Sequence, residues 1–187
     1  MEIWILITVI GLFLLWVIIT YNQLIALKNE VRNAWKQIDV QLKRRHDLIP
    51  NLVSVVKGYM EFERDTLEKV TSARARAMSA MGFREKVSAE NVLSKALGGL
   101  FALIENYPVL KSNENVLQLQ EELTSTENRI AFARQLYNDL VANFAIKIES
   151  FPSNIIASVF KFNKAEYYSI REIERSIPVT DLSTRPK

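Results

Sequence analysis

The sequence predicts an all-α protein: an N-terminal transmembrane helix followed by an antiparallel four-helix bundle with long helices. Three observations predict it. Residues 3–19 are apolar and uncharged. Gly and Pro number five each in 187 residues, and turns depend on those residues. Elsewhere apolar residues recur at spacings of three and four, the period of a helix with one buried face. The organisation that follows is an anchor over residues 1–21, a helical bundle over 22–163 and a C-terminal tail over 164–187.

The anchor comes first. Thirteen residues between Ile3 and Ile19 are Leu, Ile, Val or Phe. At about −0.3 to −0.6 kcal/mol each they contribute roughly −4 to −8 kcal/mol towards insertion. Extended to Tyr21, the segment rises about 28 Å as a helix, enough to cross a hydrocarbon core of about 30 Å. Ile3, Trp4, Ile10, Leu15, Trp16 and Ile19 are the residues expected to meet lipid, with the aromatics near the ends. A cleaved signal peptide would need a basic start and small residues at a cleavage site. Here Glu2 precedes the run and WVIITYNQL follows it. Lys28, Arg32, Lys36, Lys43, Arg44 and Arg45 all lie on the C-terminal side. The positive-inside rule therefore predicts an outside N-terminus and a cytoplasmic domain, in a single-pass protein of the inner membrane.

Helix one continues from the anchor with Leu24, Leu27, Val31, Ala34, Ile38 and Leu42 as its stripe. No Gly or Pro separates Tyr21 from Asp47, so anchor and helix can form one rod. Ile49-Pro50 predicts its end, because Pro disfavours helix before it and suits the first turn of the next. Helix two is expected from about Pro50 to Met81, burying Leu52, Val56, Tyr59, Met60, Leu67, Val70, Ala73 and Ala77. Gly82 closes it. Helix three starts near Ser88 and buries Leu93, Leu97, Leu100, Phe101 and Ile104, stopping before Pro108. Helix four is capped by Asn113. Its stripe from Val116 through Leu123, Ile130 and Tyr137 to Phe144 follows a coiled-coil-like heptad pattern. Helix three is too short to return the chain to the far end, so Tyr107–Asn113 is expected to be extended.

Phe151-Pro152 closes helix four. The following FPSNIIASVFKF carries Ile155, Ile156, Val159, Phe160 and Phe162 beside Lys161 and Lys164. Two readings are open: closure of the bundle end, or an interfacial segment on the bilayer. Beyond Asn163 a helical turn is expected, then from Pro178 a polar tail.

Most chemistry is excluded. There is no cysteine for a disulfide, a thiol nucleophile or a thiolate metal site. His46 is the one histidine, so His-pair metal sites fail. Acid pairs such as Glu121/Glu122 and Glu172/Glu174 lack the histidines of a di-metal bundle. A phospho-accepting His46 is disfavoured because Pro50 follows at four residues and no Gly-rich nucleotide site exists. No P-loop, GxGxxG or GxSxG occurs. With 24 basic and 21 acidic residues, net charge +3 gives no basic field for nucleic acid. No cofactor is expected. Polar groups Thr126, Glu127, Asn128, Arg134 and Asn138 predict either a polar seam or one wet face on helix four.

Three stretches together resemble the LemA family of bacterial membrane proteins: AWKQIDVQLKRRHDLIPNLVSVVKGY (34–59), LQLQEELTSTENRIAFARQLYND (117–139) and FPSNIIASVF (151–160). The resemblance implies a LemA-like bundle anchored in the bacterial cytoplasmic membrane and an adaptor role beside membrane proteases or envelope-stress proteins. It carries over no catalytic residue. The candidate interaction surface is Arg44, Arg45, His46, Asp47, Pro50 and Asn51, with Phe151, Pro152, Ser153 and Asn154. The function expected is a self-assembling scaffold or adaptor, contacting the lipid bilayer, copies of itself and a possible membrane-protein partner. A membrane-to-cytoplasm signalling module is the alternative, and an unrecognised site around Arg44–Asp47 and Asn51 a remote third.

Overall fold

The computed structural model describes residues 1–60 and 63–169. These form six helices: α1 (Glu2–Lys57), α2 (Arg64–Ser79), α3 (Phe83–Ile104), α4 (Pro108–Lys111), α5 (Glu114–Glu149) and α6 (Ser153–Val159). No strand occurs among the described residues. The residues beyond 169, including Glu172, Glu174 and the tail from Pro178, lie outside them.

Anchor and first bundle helix are one rod. The 56 residues of α1 rise about 84 Å at 1.5 Å each. Its first 15 residues touch little else and its apolar side chains stand exposed. Burial begins at Trp16, and the predicted stripe Leu24, Val31, Ala34, Ile38 and Leu42 is buried as expected.

The expected break at Ile49-Pro50 is overturned: the helix runs through Pro50 to Lys57. A proline inside a helix removes one N–H donor and crowds the carbonyl four residues back. That carbonyl belongs to His46. Arg74 of α2 supplies the missing donor, its Nε lying 2.7 Å from His46 O. A tertiary hydrogen bond thus replaces the helical one. The apolar stripe also continues unbroken through Ile49, Leu52 and Val56, so burial favours continuing the helix.

This shift resolves the length problem. The residues assigned to the start of helix two extend α1 instead, leaving α2 with 16 residues. It pairs with α3 as a hairpin against the upper part of α1, while α5 packs along α1 over most of its length. Gly82 forms the corner at φ 85° and ψ 161°, a region essentially restricted to glycine. Helix α3 begins there, at Phe83, well before the expected Ser88. Its first residues meet Trp35 of α1, with rings 4.8 Å apart, so the hairpin stops well above the anchor. The connector to α5 is not extended; it holds the short α4, whose Leu110 is buried. Asn113 caps α5 as predicted, accepting from the N–H groups of Asn115 and Val116 at 3.0 and 3.2 Å.

Two apolar cores result. The upper one joins Ile49, Leu52, Val56, Val70, Leu93, Leu100 and Leu110. The lower one joins Leu24, Ile38, Ile130, Val141, Phe144 and Ile156. Residues 162–168 form an irregular segment rather than the expected helical turn. It is strapped onto α5: Asn138 donates to Tyr168 O at 3.0 Å and accepts from Tyr168 N at 2.8 Å. Tyr168 is buried against Trp35 and Phe83.

Candidate functional site

Between the two cores lies a buried layer of charge. On α1 the stripe position between Leu42 and Ile49 is taken by Arg45 and His46, 1% and 7% exposed. On α3 the stripe position between Val87 and Leu93 is taken by Glu90, with no exposed surface. The Arg45 guanidinium pairs with the carboxylates of Glu90 and of Glu127 on α5. It also donates to Ser94 Oγ at 2.8 Å, and Ser94 in turn donates to Glu127 Oε1 at 3.3 Å. His46 Nε2 sits 2.8 Å from Glu90 Oε1. One layer therefore ties together α1, α3 and α5.

Burial by itself would push the Glu90 carboxyl up. The close approach of His46 and the charge of Arg45 outweigh it and hold the carboxyl below its ordinary value. One carboxylate oxygen pairs with the Arg45 guanidinium, and the other lies against His46 without completing a hydrogen bond. Buried ions persist only with such partners. Within the layer the hydroxyl of Ser94 contacts Arg45 and Glu127 rather than His46. The arrangement can orient helices. Among the described residues no three acidic or histidine side chains gather as a metal site.

The sequence-derived surface is divided by this geometry. Arg44, Asp47, Pro50 and Asn51 are exposed, whereas Arg45 and His46 are interior. Asp47 pairs with Lys43 at 2.6 Å, and that hydrogen bond first, against slight desolvation, holds its carboxyl low. A catalytic cluster of Arg44–Asp47 with Asn51 is therefore not assembled: its members point to opposite sides of α1. The second group lies at the lower end of the molecule. Phe151, Pro152 and Asn154 are exposed there, and Ser153 is buried, donating to the Lys147 and Ser150 carbonyls at 2.6 and 2.9 Å. The two groups are not brought together. Of the anchor residues, Ile3, Trp4, Ile10, Leu15 and Ile19 are exposed and Trp16 is half-buried.

Glu90 and Ser94 escaped the sequence reading. The signal was present, a carboxylate on the apolar stripe of helix three matched by a guanidinium on that of helix one. The proline four residues after His46 disguised it as a turn. The polar groups of helix four serve both alternatives. Thr126 is buried with its hydroxyl on the Glu122 carbonyl, Glu127 meets Arg45 from a half-exposed position, Arg134 lies 4.6 Å over the Tyr168 ring, and Asn128 remains exposed.

A second feature lies on the outer flank of α1 and α5. Val40, Phe132 and Leu136 are exposed, Phe132 by 73%. They line a shallow groove with Gln37, Gln41, Arg129 and Ala133. Gln41 Oε1 is buried there without a hydrogen-bond partner among the described residues.

Comparison with known proteins gives a consistent picture. The LemA family model matches residues 34–181. Protein LemA of Metamycoplasma hominis is 28% identical, over 89% of this chain and 76% of its own length. Magnetosome protein MamQ 2 of Paramagnetospirillum magneticum is 22% identical, over 83% of this chain and 67% of its own. Magnetosome protein MamQ of Magnetospirillum gryphiswaldense is 21% identical over the same shares. The match begins inside α1 and takes in the charged layer, the groove and α6.

Proposed function

The chain belongs to the LemA family, and from that premise we propose that it is a non-enzymatic membrane scaffold or adaptor that assembles with copies of itself. Its place is the bacterial cytoplasmic membrane, with the N-terminus outside and the helical domain in the cytoplasm. The apolar, exposed first turns of α1 support the anchoring, and the Lys and Arg residues downstream support the orientation. No cofactor or nucleic acid is required.

The observation that carries self-assembly is the outer flank of α1 and α5. Val40, Phe132 and Leu136 present apolar surface above the membrane, flanked by Gln37 and Gln41, whose amides suit a hydrogen-bonded rim. Anchoring confines every copy to one plane and one orientation, which raises the effective concentration for lateral contact. A second copy can therefore occupy the flank even where the free domains would associate weakly.

Crosslinking of the full-length protein in intact membranes, followed by purification in mild detergent and mass spectrometry, tests this. A ladder of self-crosslinks is expected, collapsing to monomer in a Phe132→Asp, Leu136→Asp variant. A strictly monomeric wild type in both membrane and detergent overturns the scaffold reading.

A second reading, a membrane-to-cytoplasm signalling module, is favoured by the continuity of α1 from the anchor to Lys57. A Gly-Gly insertion after Tyr21 should then abolish function while membrane location is kept. Indifference to the insertion counts against it.

A further inference from the structure

We propose that α6 and the turn before it form a second membrane contact, an apolar wedge seated in the bilayer interface beside the anchor. The inference rests on α1 crossing the membrane, and goes beyond self-assembly. The seven residues of α6 divide by face. Ser153, Ile156 and Ala157 are buried against the bundle. Ile155, Val159 and Phe160 are exposed, and Phe151 in the preceding turn is 81% exposed. Ile146, on the last turns of α5, adds to the same end. Four large apolar side chains within ten residues keep half or more of their surface exposed, a concentration of the kind that marks an interaction site.

Position identifies the occupant as lipid. Phe160 packs on Tyr21, the end of the membrane span, with ring centroids 4.7 Å apart. Phe151, Pro152 and Ser153 share a groove with Trp16 and Thr20. Trp16 lies five residues deeper than Tyr21, about 7.5 Å along the helix. That matches the roughly 5–10 Å to which interfacial helices sink. Because the α6 region is packed against the upper part of the span, it lies at headgroup depth when α1 is inserted.

The surrounding charge agrees. Lys28 lies 5.8 Å above the Phe162 ring. Lys161 is exposed at the end of α6, and Lys164 pairs with Glu149. Lysines thus lie close in sequence or space to the exposed apolar residues, as anionic headgroups would require. The closed-end and interfacial readings of this segment are thus both realised, on opposite faces of one short helix: Ile156 and Ala157 close the lower core, and Ile155, Val159 and Phe160 are left for lipid.

The chain has no cysteine, so single labels can be placed at will. Full-length variants Phe151→Cys, Val159→Cys, Leu12→Cys and Val109→Cys carry an environment-sensitive fluorophore. Each is reconstituted into phosphatidylcholine–phosphatidylglycerol vesicles with and without spin-labelled lipid. Labels at 151 and 159 are expected to shift to the blue and lose fluorescence to the lipid quencher, as the label at 12 does, while 109 does neither. Quenching at 12 without quenching at 151 and 159 overturns the wedge and leaves the anchor standing. Absence of quenching at 12 overturns the anchor. Efficient disulfide formation between unlabelled Phe151→Cys chains, without lipid quenching, overturns the wedge in favour of a second copy as occupant.

Discussion

At the scale of single residues, the charged layer dominates. Arg45 is held by two carboxylates and a hydroxyl, and Glu90 by Arg45 and His46. Removing one member leaves the others buried without compensation, so Arg45→Ala should cost about 3–5 kcal/mol. The measurement is denaturant unfolding in detergent, followed by circular dichroism. Glu90 also predicts a pH dependence. Its folded-state carboxyl lies below the ordinary value of 4.5. Its stabilising contribution is therefore complete above that value and is lost as pH falls through the lower folded-state value. Wild type should lose stability on acidification more steeply than Glu90→Gln, the two curves converging on the acid side. Parallel curves would show that Glu90 is not charged in the native protein. The exposed Lys43–Asp47 pair, by contrast, should contribute little.

At the scale of elements, Pro50 and Gly82 decide where helices run. Pro50 leaves the His46 carbonyl without its helical donor, and Arg74 takes that place. Arg74→Ala should cost roughly 1.5 kcal/mol, the low end for a charged donor because Arg74 is half-exposed. In a Pro50→Ala background the helix recovers its own N–H, and the same change should cost much less. A double-mutant cycle reads this coupling directly; strict additivity would sink the account. Gly82 stands at positive φ with open space where a Cβ would be, so a side chain there meets backbone strain rather than a neighbour. Gly82→Ala should therefore destabilise by about 1–3 kcal/mol, read as a lowered midpoint of thermal unfolding.

At the scale of the whole molecule, the protein is a long rod with a hairpin mounted on its upper half. The closest-packed pairs are α1 with α5 and α2 with α3. The α3 helix reaches the rod largely through long side chains: Arg45 to Glu90, Asp39 to Lys86 at 2.6 Å, and the rings of Trp35 and Phe83. This predicts uneven protection in amide exchange. The α2–α3 hairpin should open as one unit before the α1–α5 pair, and Glu90→Gln should loosen α3 while leaving residues 130–144 protected. Uniform loosening would mean that the bundle is a single cooperative unit. The same architecture keeps the two exposed apolar surfaces apart, one around Phe132 on the flank of α1 and α5 and one at α6 beside Tyr21.

Much of this was legible in the sequence. The apolar run of α1, the 3–4 stripes, the Asn113 cap and the stop before Pro152 depend on neighbours within a turn or two. Local period and local hydrogen bonding therefore determined the helical class, the apolar N-terminal helix and most of the buried face of α5. What the tertiary structure alone decided depends on partners far along the chain. The donor that lets α1 pass Pro50 is 28 residues from the His46 carbonyl it serves, and the carboxylates that make Arg45 an interior residue are 45 and 82 residues from it. No local pattern can report them, because a buried charge and a solvated one look alike until the opposite helix arrives. The same is true of α6: its sequence admits both core and surface, and only its packing on the bundle decides which residues are buried and which exposed.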